Sequence, residues 1–174
     1  MGFGRPCSKT LEPVKVTRRR GVVRLILESV EAEILTGLFD ELNDAFESLA
    51  PEDAVYQRLY PDGHRDDAAI AAQFRDLTES LLHDERTERL GQCRAEIVAS
   101  TTTEPGQKLQ IGLGPEEARR WLQVINDLRL AIGTRLGVSE DWQPVEPDAP
   151  DAQAWAIYSW LSGLQEALVD AVSS

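Results

Sequence analysis

What this chain of 174 residues has least of is the side chains that most often do chemistry, with only two cysteines and two histidines. Cys7 and Cys93 are too few for a disulfide framework and too far apart for any paired-cysteine metal or redox motif, which fits a reducing compartment. His64 and His83 have no second strong ligand at helical spacing, so no metal centre is expected. Also missing are a Gly-x-Ser-x-Gly nucleophile elbow and a phosphate-binding loop with its lysine, while Gly112-Leu113-Gly114 lacks the third glycine of a dinucleotide fingerprint. The expectation is therefore no catalytic residue and no cofactor. No apolar run approaches the roughly 20 residues that a membrane span needs. Arg5 and Lys9 are not followed by an apolar stretch, so neither a signal nor a transit peptide is read, and the expected location is the cytoplasm.

Positive charge is also scarce. Eighteen Lys and Arg against 30 Asp and Glu leave a formal net charge of −12, which opposes the positive field that phosphate contacts demand. No strong direct binding to nucleic acid is expected. The cations that exist are unevenly placed, seven of them before position 25, with Lys15, Arg18, Arg19 and Arg20 clustered. A solvated strand face explains such a cluster, and affinity of that end for an acidic partner is the functional alternative. The abundant acids pair as Asp66-Asp67, Glu116-Glu117 and Glu140-Asp141 at helix starts or in loops, where capping and solvation account for them.

What is present is a core. With 42% hydrophobic and 28% charged residues the chain is ordinary for a globular protein, and a domain of this length buries roughly 70% of the surface its unfolded form exposes. Val14 and Val16 alternate with basic residues before Gly21, and Val22, Val23, Leu25, Ile26 and Leu27 follow, which predicts a β-hairpin. Ser29 offers a helix N-cap ahead of Ile34, Leu35, Leu38, Phe39, Leu42, Phe46 and Leu49 at helical spacing. Pro51 and Tyr60-Pro61-Asp62-Gly63 punctuate a loop. A second helix capped at Asp66 or Asp67 then carries Ile70, Phe74, Leu77 and Leu81, and a further helical stretch, bent near Gly91, carries Leu90, Cys93 and Ile97. Residues Thr101 to Gly106 read as an exposed turn. Leu109, Ile111 and Leu113 alternate as a short strand that joins the hairpin.

Gly114-Pro115-Glu116-Glu117 opens the clearest helix, whose stripe of Ala118, Trp121, Leu122, Ile125, Leu128, Ile132 and Leu136 stops at Gly137, a left-handed cap. The last helix sets Ile157, Leu161, Leu164, Leu168 and Val172 on one face, flanked by Trp155, Tyr158 and Trp160. The fold expected is α+β and predominantly helical, about five helices around one core with a small antiparallel N-terminal sheet. Residues 1–13 are expected to be a flexible N-terminus, and residues 14–174 a single regulatory domain with a surface linker at about 139–151.

One side chain breaks the pattern. Arg129 projects within the apolar stripe of the clearest helix, so its guanidinium must reach solvent or find a partner, because an uncompensated buried charge costs about 3–5 kcal/mol. Glu31, Asp67 or oxygens near Gln165 are the candidate partners.

Three segments resemble a known family: Arg58-Leu59-Tyr60-Pro61-Asp62 with Arg65-Asp66-Asp67, Asn126-Asp127-Leu128-Arg129-Leu130-Ala131-Ile132-Gly133, and Ile157-Tyr158-Ser159-Trp160-Leu161 running into Leu164-Gln165-Glu166. They look like the actinobacterial AosR-like family of oxidative-stress transcriptional regulators, a domain of unknown function. The order of elements agrees from about Arg18 to the C-terminus, apart from the linker after Gly137. The resemblance implies a stress regulator that works through protein contact, with a sigma factor or other transcription machinery as partner. It marks Asn126, Asp127, Arg129, Trp160 and Gln165 as structural or interaction residues. It also implies a redox cysteine pair, which here can only be Cys7 with Cys93, although Cys93 lies on an apolar helical face where a packed, inert thiol is the commoner state. The competing readings are an enzyme with an unrecognised carboxylate-based site and a regulator that binds DNA directly through the hairpin.

Overall fold

Residues 15–27 form a hairpin because the turn residues permit one. Arg20 and Gly21 both have positive φ, 53° and 80°, the backbone that a two-residue turn needs to match the twist of its strands. Strand β1 (Lys15–Arg19) thus pairs antiparallel with β2 (Val22–Leu27). The expected third strand, β3 (Leu109–Leu113), pairs antiparallel with the other edge of β2, giving the order β1-β2-β3. This computed structural model describes residues 14–61, 68–101, 107–139 and 149–173, and within 68–79 the backbone alone. The expected flexible N-terminus, most of the turn expected from Thr101 to Gly106 and most of the 139–151 linker lie outside the described residues, as do Cys7, His64 and Asp67.

Alternation sorts the sheet into two faces. Val23, Leu25, Leu27, Leu109, Ile111 and Leu113 are buried on the inner face, whereas Arg24, Gln110 and Gly112 point away from the core. The described residues form five helices, α1 (Ser29–Ser48), α2 (Ala54–Leu59), α3 (Ala68–Ser100), α4 (Pro115–Arg135) and α5 (Ala152–Ser173), of which α1, α3, α4 and α5 pack against the sheet while α2 packs on α4. Helix α4 lies at the centre. It packs most extensively on α5 and also touches α1, α2, α3 and the sheet, with Trp121, Val124, Ile125 and Leu128 buried. Phe39 of α1 meets Trp121 edge-on with centroids 5.9 Å apart.

Several expectations need correction. The N-cap of α1 is Glu28, not Ser29, and its backbone N–H is held by the Glu31 carboxylate at 2.7 Å. Residues 54–59, expected to be loop, form the short helix α2, started by Asp53 accepting from the Val55 N–H at 2.7 Å. The two helical stretches expected between residues 66 and 100 are one 33-residue helix, α3. Gly91 sits in open space on it, and a glycine costs only about 1 kcal/mol in a helix interior, too little to stop a long one.

Leu81 is 61% exposed rather than inward. The inward stripe of α3 is phased by His83, Arg86, Leu90, Cys93 and Ile97, and Leu81 falls nearly opposite. On α5, Val172 is exposed while Ala171 and Trp160 are buried, because that stripe drifts by one position along the helix. Gly137 does end α4 with φ +66°, and the Val138 N–H reaches the Gly133 carbonyl at 2.9 Å. No described helix is long and apolar enough to cross a membrane.

The register makes a testable claim. Leu25→Ala, at a fully buried position, should cost about 3 kcal/mol, while Ile26→Ala on the opposite face should cost less than about 1.5 kcal/mol. Equal losses for the two variants in chemical denaturation would contradict the register.

Candidate functional site

A helix buried on several sides can keep charged residues only if its neighbours supply partners. Helix α4 carries three. Asp127, 7% exposed, forms an ion pair with Arg86 of α3, and the two side chains are 10% and 16% exposed. The same guanidinium donates to the Leu59 carbonyl at the end of α2 at 2.8 Å and stacks over the Tyr60 ring, 5.3 Å from its centroid. One arginine therefore ties three helices together. Burial holds the Asp127 carboxyl above its ordinary pKa, and the facing Arg86 only partly offsets this, with a smaller contribution from Arg89.

About two turns toward the N-terminus, Arg120 pairs with Glu96 of α3. The other Glu96 oxygen accepts from the Trp121 indole N–H at 2.6 Å. This pair flanks Cys93, which is fully buried. Burial first, and then the Glu96 charge, push the Cys93 thiol up to about 12, against a smaller opposing effect of Arg120. A thiol so held is a packing group rather than a nucleophile.

The third is Arg129, half-buried and facing α5. It donates to Ser162 Oγ at 3.0 Å and to Gln165 Oε1, and its guanidinium lies 5.4 Å from the Tyr158 ring centroid. Of the expected partners Gln165 is the one found; Glu31 is instead engaged at the start of α1. Tyr158 lies so close to α4 that a Cβ at Gly133 would sit 3.0 Å from its Cε2. Asn126 is half-buried, three residues before Arg129, and makes no side-chain hydrogen bond among the described residues. Trp160 is buried with its indole N–H unpartnered.

These contacts join the three sequence segments that resemble the AosR-like family. Leu59 and Tyr60 meet Arg86, which meets Asp127; Arg129 and Gly133 meet Tyr158, Ser162 and Gln165. Arg86, Glu96 and Arg120 were not read from the sequence. Arg86 gave a signal of the same kind as Arg129, since it falls four residues before Leu90 on an apolar stripe.

No three His, Cys, Asp or Glu side chains converge on a common point among the described residues. Asp127 faces cations rather than a second acid, so the pair of converging carboxylates that acid-base chemistry would use is not assembled around it. An open groove of about 550 Å³ lies beside this knot, lined by Phe46, Leu49, Tyr56, Tyr60 and His83 among others, with Phe46 and His83 edge-on at 6.3 Å.

A family model for a domain of unknown function (DUF2017) matches residues 12–172. The oxidative stress regulator AosR of Mycobacterium tuberculosis is 29% identical over 128 residues, 68% of this chain and 58% of its own length, and the Mycobacterium bovis regulator matches equally. The Mycobacterium leprae protein of the AosR name is 29% identical over 148 residues, 80% of this chain and 65% of its own. The chain thus spans less than two thirds of the length of these curated relatives. No solved structure gives a significant match.

The two arginines should respond differently to the same change. Arg86→Met strands a buried carboxylate and the Leu59 carbonyl, and should cost about 3–5 kcal/mol at neutral pH. Arg129→Met leaves neutral partners and a half-exposed stem, and should cost about 1 kcal/mol. The Arg86→Met loss should also depend on pH. A raised carboxylate pKa means the folded state holds the proton more firmly, so the stability it confers is complete below the unfolded pKa and disappears as pH rises through the folded one. Removing Arg86 takes away the influence that lowers Asp127, so the deficit should narrow as pH falls from neutral. Denaturation curves from neutral to mildly acid pH check both claims, and a pH-independent deficit would rule out the Asp127 assignment.

Proposed function

Because the chain belongs to the DUF2017 family of domains of unknown function, and is related over most of its length to oxidative stress regulators, we propose that it is a non-enzymatic regulator of the oxidative-stress response. It works by protein contact in the cytoplasm, with the transcription machinery, and a sigma factor in particular, as the partner. The observation that carries this reading is the 29% identity to the AosR relatives across 68% to 80% of the chain. The arrangement around α4 supports it from another side, since its charged groups are spent on holding helices together rather than gathered on a cavity.

Cys93 does not act as the switch in this reading. A buried thiol held near 12 offers little thiolate for oxidation or exchange, so the stress signal reaches the protein by a route other than a Cys7 to Cys93 disulfide. Signals received by the partner, or by Cys7 joining a second molecule, both meet that requirement.

Two measurements test this. Tagged full chain incubated in extract of its own host, with and without peroxide, should retain RNA polymerase subunits or a sigma factor; retention of metabolic enzymes alone would move the assignment to the enzyme reading. Iodoacetamide labelling of the folded protein should leave Cys93 unmodified until denaturant is added, and a peptide map after mild oxidation should contain little intramolecular Cys7–Cys93 crosslink. High-yield crosslinking would restore the sensor role.

A further inference from the structure

The sheet presents its outer face to solvent, and that face has a charge opposite to the rest of the molecule. None of the three strands contains an Asp or Glu, in a chain that has 30 of them. On the outer face Lys15 and Arg19 lie four residues apart along β1, and Arg24 on β2 stands opposite Thr17 between them. All three are exposed, and Arg20 adds a fourth charge at the turn. Between the cations runs a shallow apolar strip. Val22 is 44% exposed and leans toward Gly112, whose missing side chain leaves the strip open, and Ile26 is half-buried opposite Lys15.

The cations are also unspent. Three exposed cations elsewhere draw on the surplus of acids, Arg94 with Asp40 at 2.7 Å, Lys108 with Glu28 at 2.5 Å and Arg119 with Glu116 at 2.9 Å. Among the described residues no carboxylate engages Lys15, Arg19, Arg20 or Arg24.

We infer that the outer face of the sheet is the docking surface for an extended acidic segment of a protein partner, a deepening that rests on the protein-contact reading above. Lys15 and Arg19 stand about 13 Å apart at the ordinary strand rise. That matches carboxylates at positions i and i+4 on one face of an extended chain, with Arg24 serving the position between and an aliphatic side chain seated at Val22 and Gly112. Nucleic acid fits less well. The face holds no aromatic side chain on which bases stack, the device by which sheet surfaces read single strands. A duplex would bring a long run of phosphates against a body of net charge −12. A short acidic peptide meets the local charge without meeting the rest.

The test uses the full chain and two arms. In the first, amide NMR follows titration with an oligo-glutamate peptide, an oligo-lysine peptide of equal length, and duplex and single-stranded oligonucleotides. Oligo-glutamate should shift resonances of β1 and β2 and little else, and the triple variant Lys15→Glu, Arg19→Glu, Arg24→Glu should weaken its binding roughly tenfold or more with an unchanged melting temperature, since all three positions are exposed. The neutralising triple to Gln should fall between the two and guards against a folding defect in the first. No shifts, shifts scattered over the surface, or tighter binding of an oligonucleotide at the same resonances would overturn the proposal.

In the second arm, host RNA polymerase is passed over wild-type and triple-variant chain. Loss of retention in the variant supports both the face and the regulatory reading. Equal retention by both overturns the face and leaves the reading intact, whereas oligo-glutamate binding at the face without polymerase retention by wild type overturns the transcription reading and leaves the face.

Discussion

Everything else in the fold depends on neutralising the charges carried by α4, a helix in contact with the four other described helices and the sheet. A buried carboxylate or guanidinium is tolerated only when a partner and further hydrogen bonds replace its water. Asp127 obtains this from Arg86, Arg120 from Glu96, and Arg129 from Ser162, Gln165 and the Tyr158 ring. Each solution dictates a position for another element: Arg86 fixes α3 and, through the Leu59 carbonyl, the end of α2; Glu96 fixes the far half of α3; Tyr158 and Gln165 fix α5. The apolar stripes supply most of the free energy, but they are greasy and permit sliding. The polar contacts fix which turn of one helix meets which turn of the next, a registry role of the kind best attested for buried polar groups.

The strengths of these contacts differ, and burial decides the order. The Arg86–Asp127 pair is the most enclosed of the ion pairs among the described residues, and burial raises the Asp127 pKa more than the facing Arg86 lowers it. Its worth lies in specifying an arrangement more than in net stabilisation. Arg129, with neutral partners and solvent nearby, neither costs nor contributes as much. Pairs such as Arg119 with Glu116 on the surface of α4 contribute almost nothing that salt would not remove.

Much of this was legible in the residues. Strict alternation in Leu109, Ile111 and Leu113 identified a strand, and proline and glycine at either end of α4 marked it correctly, because both signals are local and have a direct steric cause. Helix α2 escaped because six residues are too few to show a 3.6-residue period. The continuity of α3 escaped because the polar run from His83 to Arg89 interrupts the apolar residues between Leu82 and Leu90, leaving no apolar period to follow across the middle of the helix. For the candidate residues the limit was of another kind. Arg129 was recognisable as a charge on an apolar stripe, yet its partner was not, since choosing among Glu31, Asp67 and Gln165 requires knowing which helix lies across from it. That is tertiary information, and Arg86 shows the same gap from the opposite side: its position on the stripe with Leu90 was readable, its three-way contact was not.

A division of labour follows for the family likeness itself. The segments that carry the resemblance, around Tyr60, Asp127 to Gly133, and Tyr158 to Gln165, are the ones that meet at α4, and their side chains are consumed in that meeting. Such residues specify how helices sit, so a shared motif of this kind testifies to a shared fold before it testifies to a shared activity. Function requires groups that remain available. Helix α4 has few of these, Cys93 is packed away beside Glu96 and Arg120, and the one cluster of cations that no described carboxylate engages stands on the outer face of the sheet. The sheet also lies at the edge of the molecule, where an added partner disturbs none of the buried pairs. Contact at such a face asks for no movement of the core, because the spacing of Lys15, Arg19 and Arg24 is set within the sheet by the antiparallel pairing of β1 with β2.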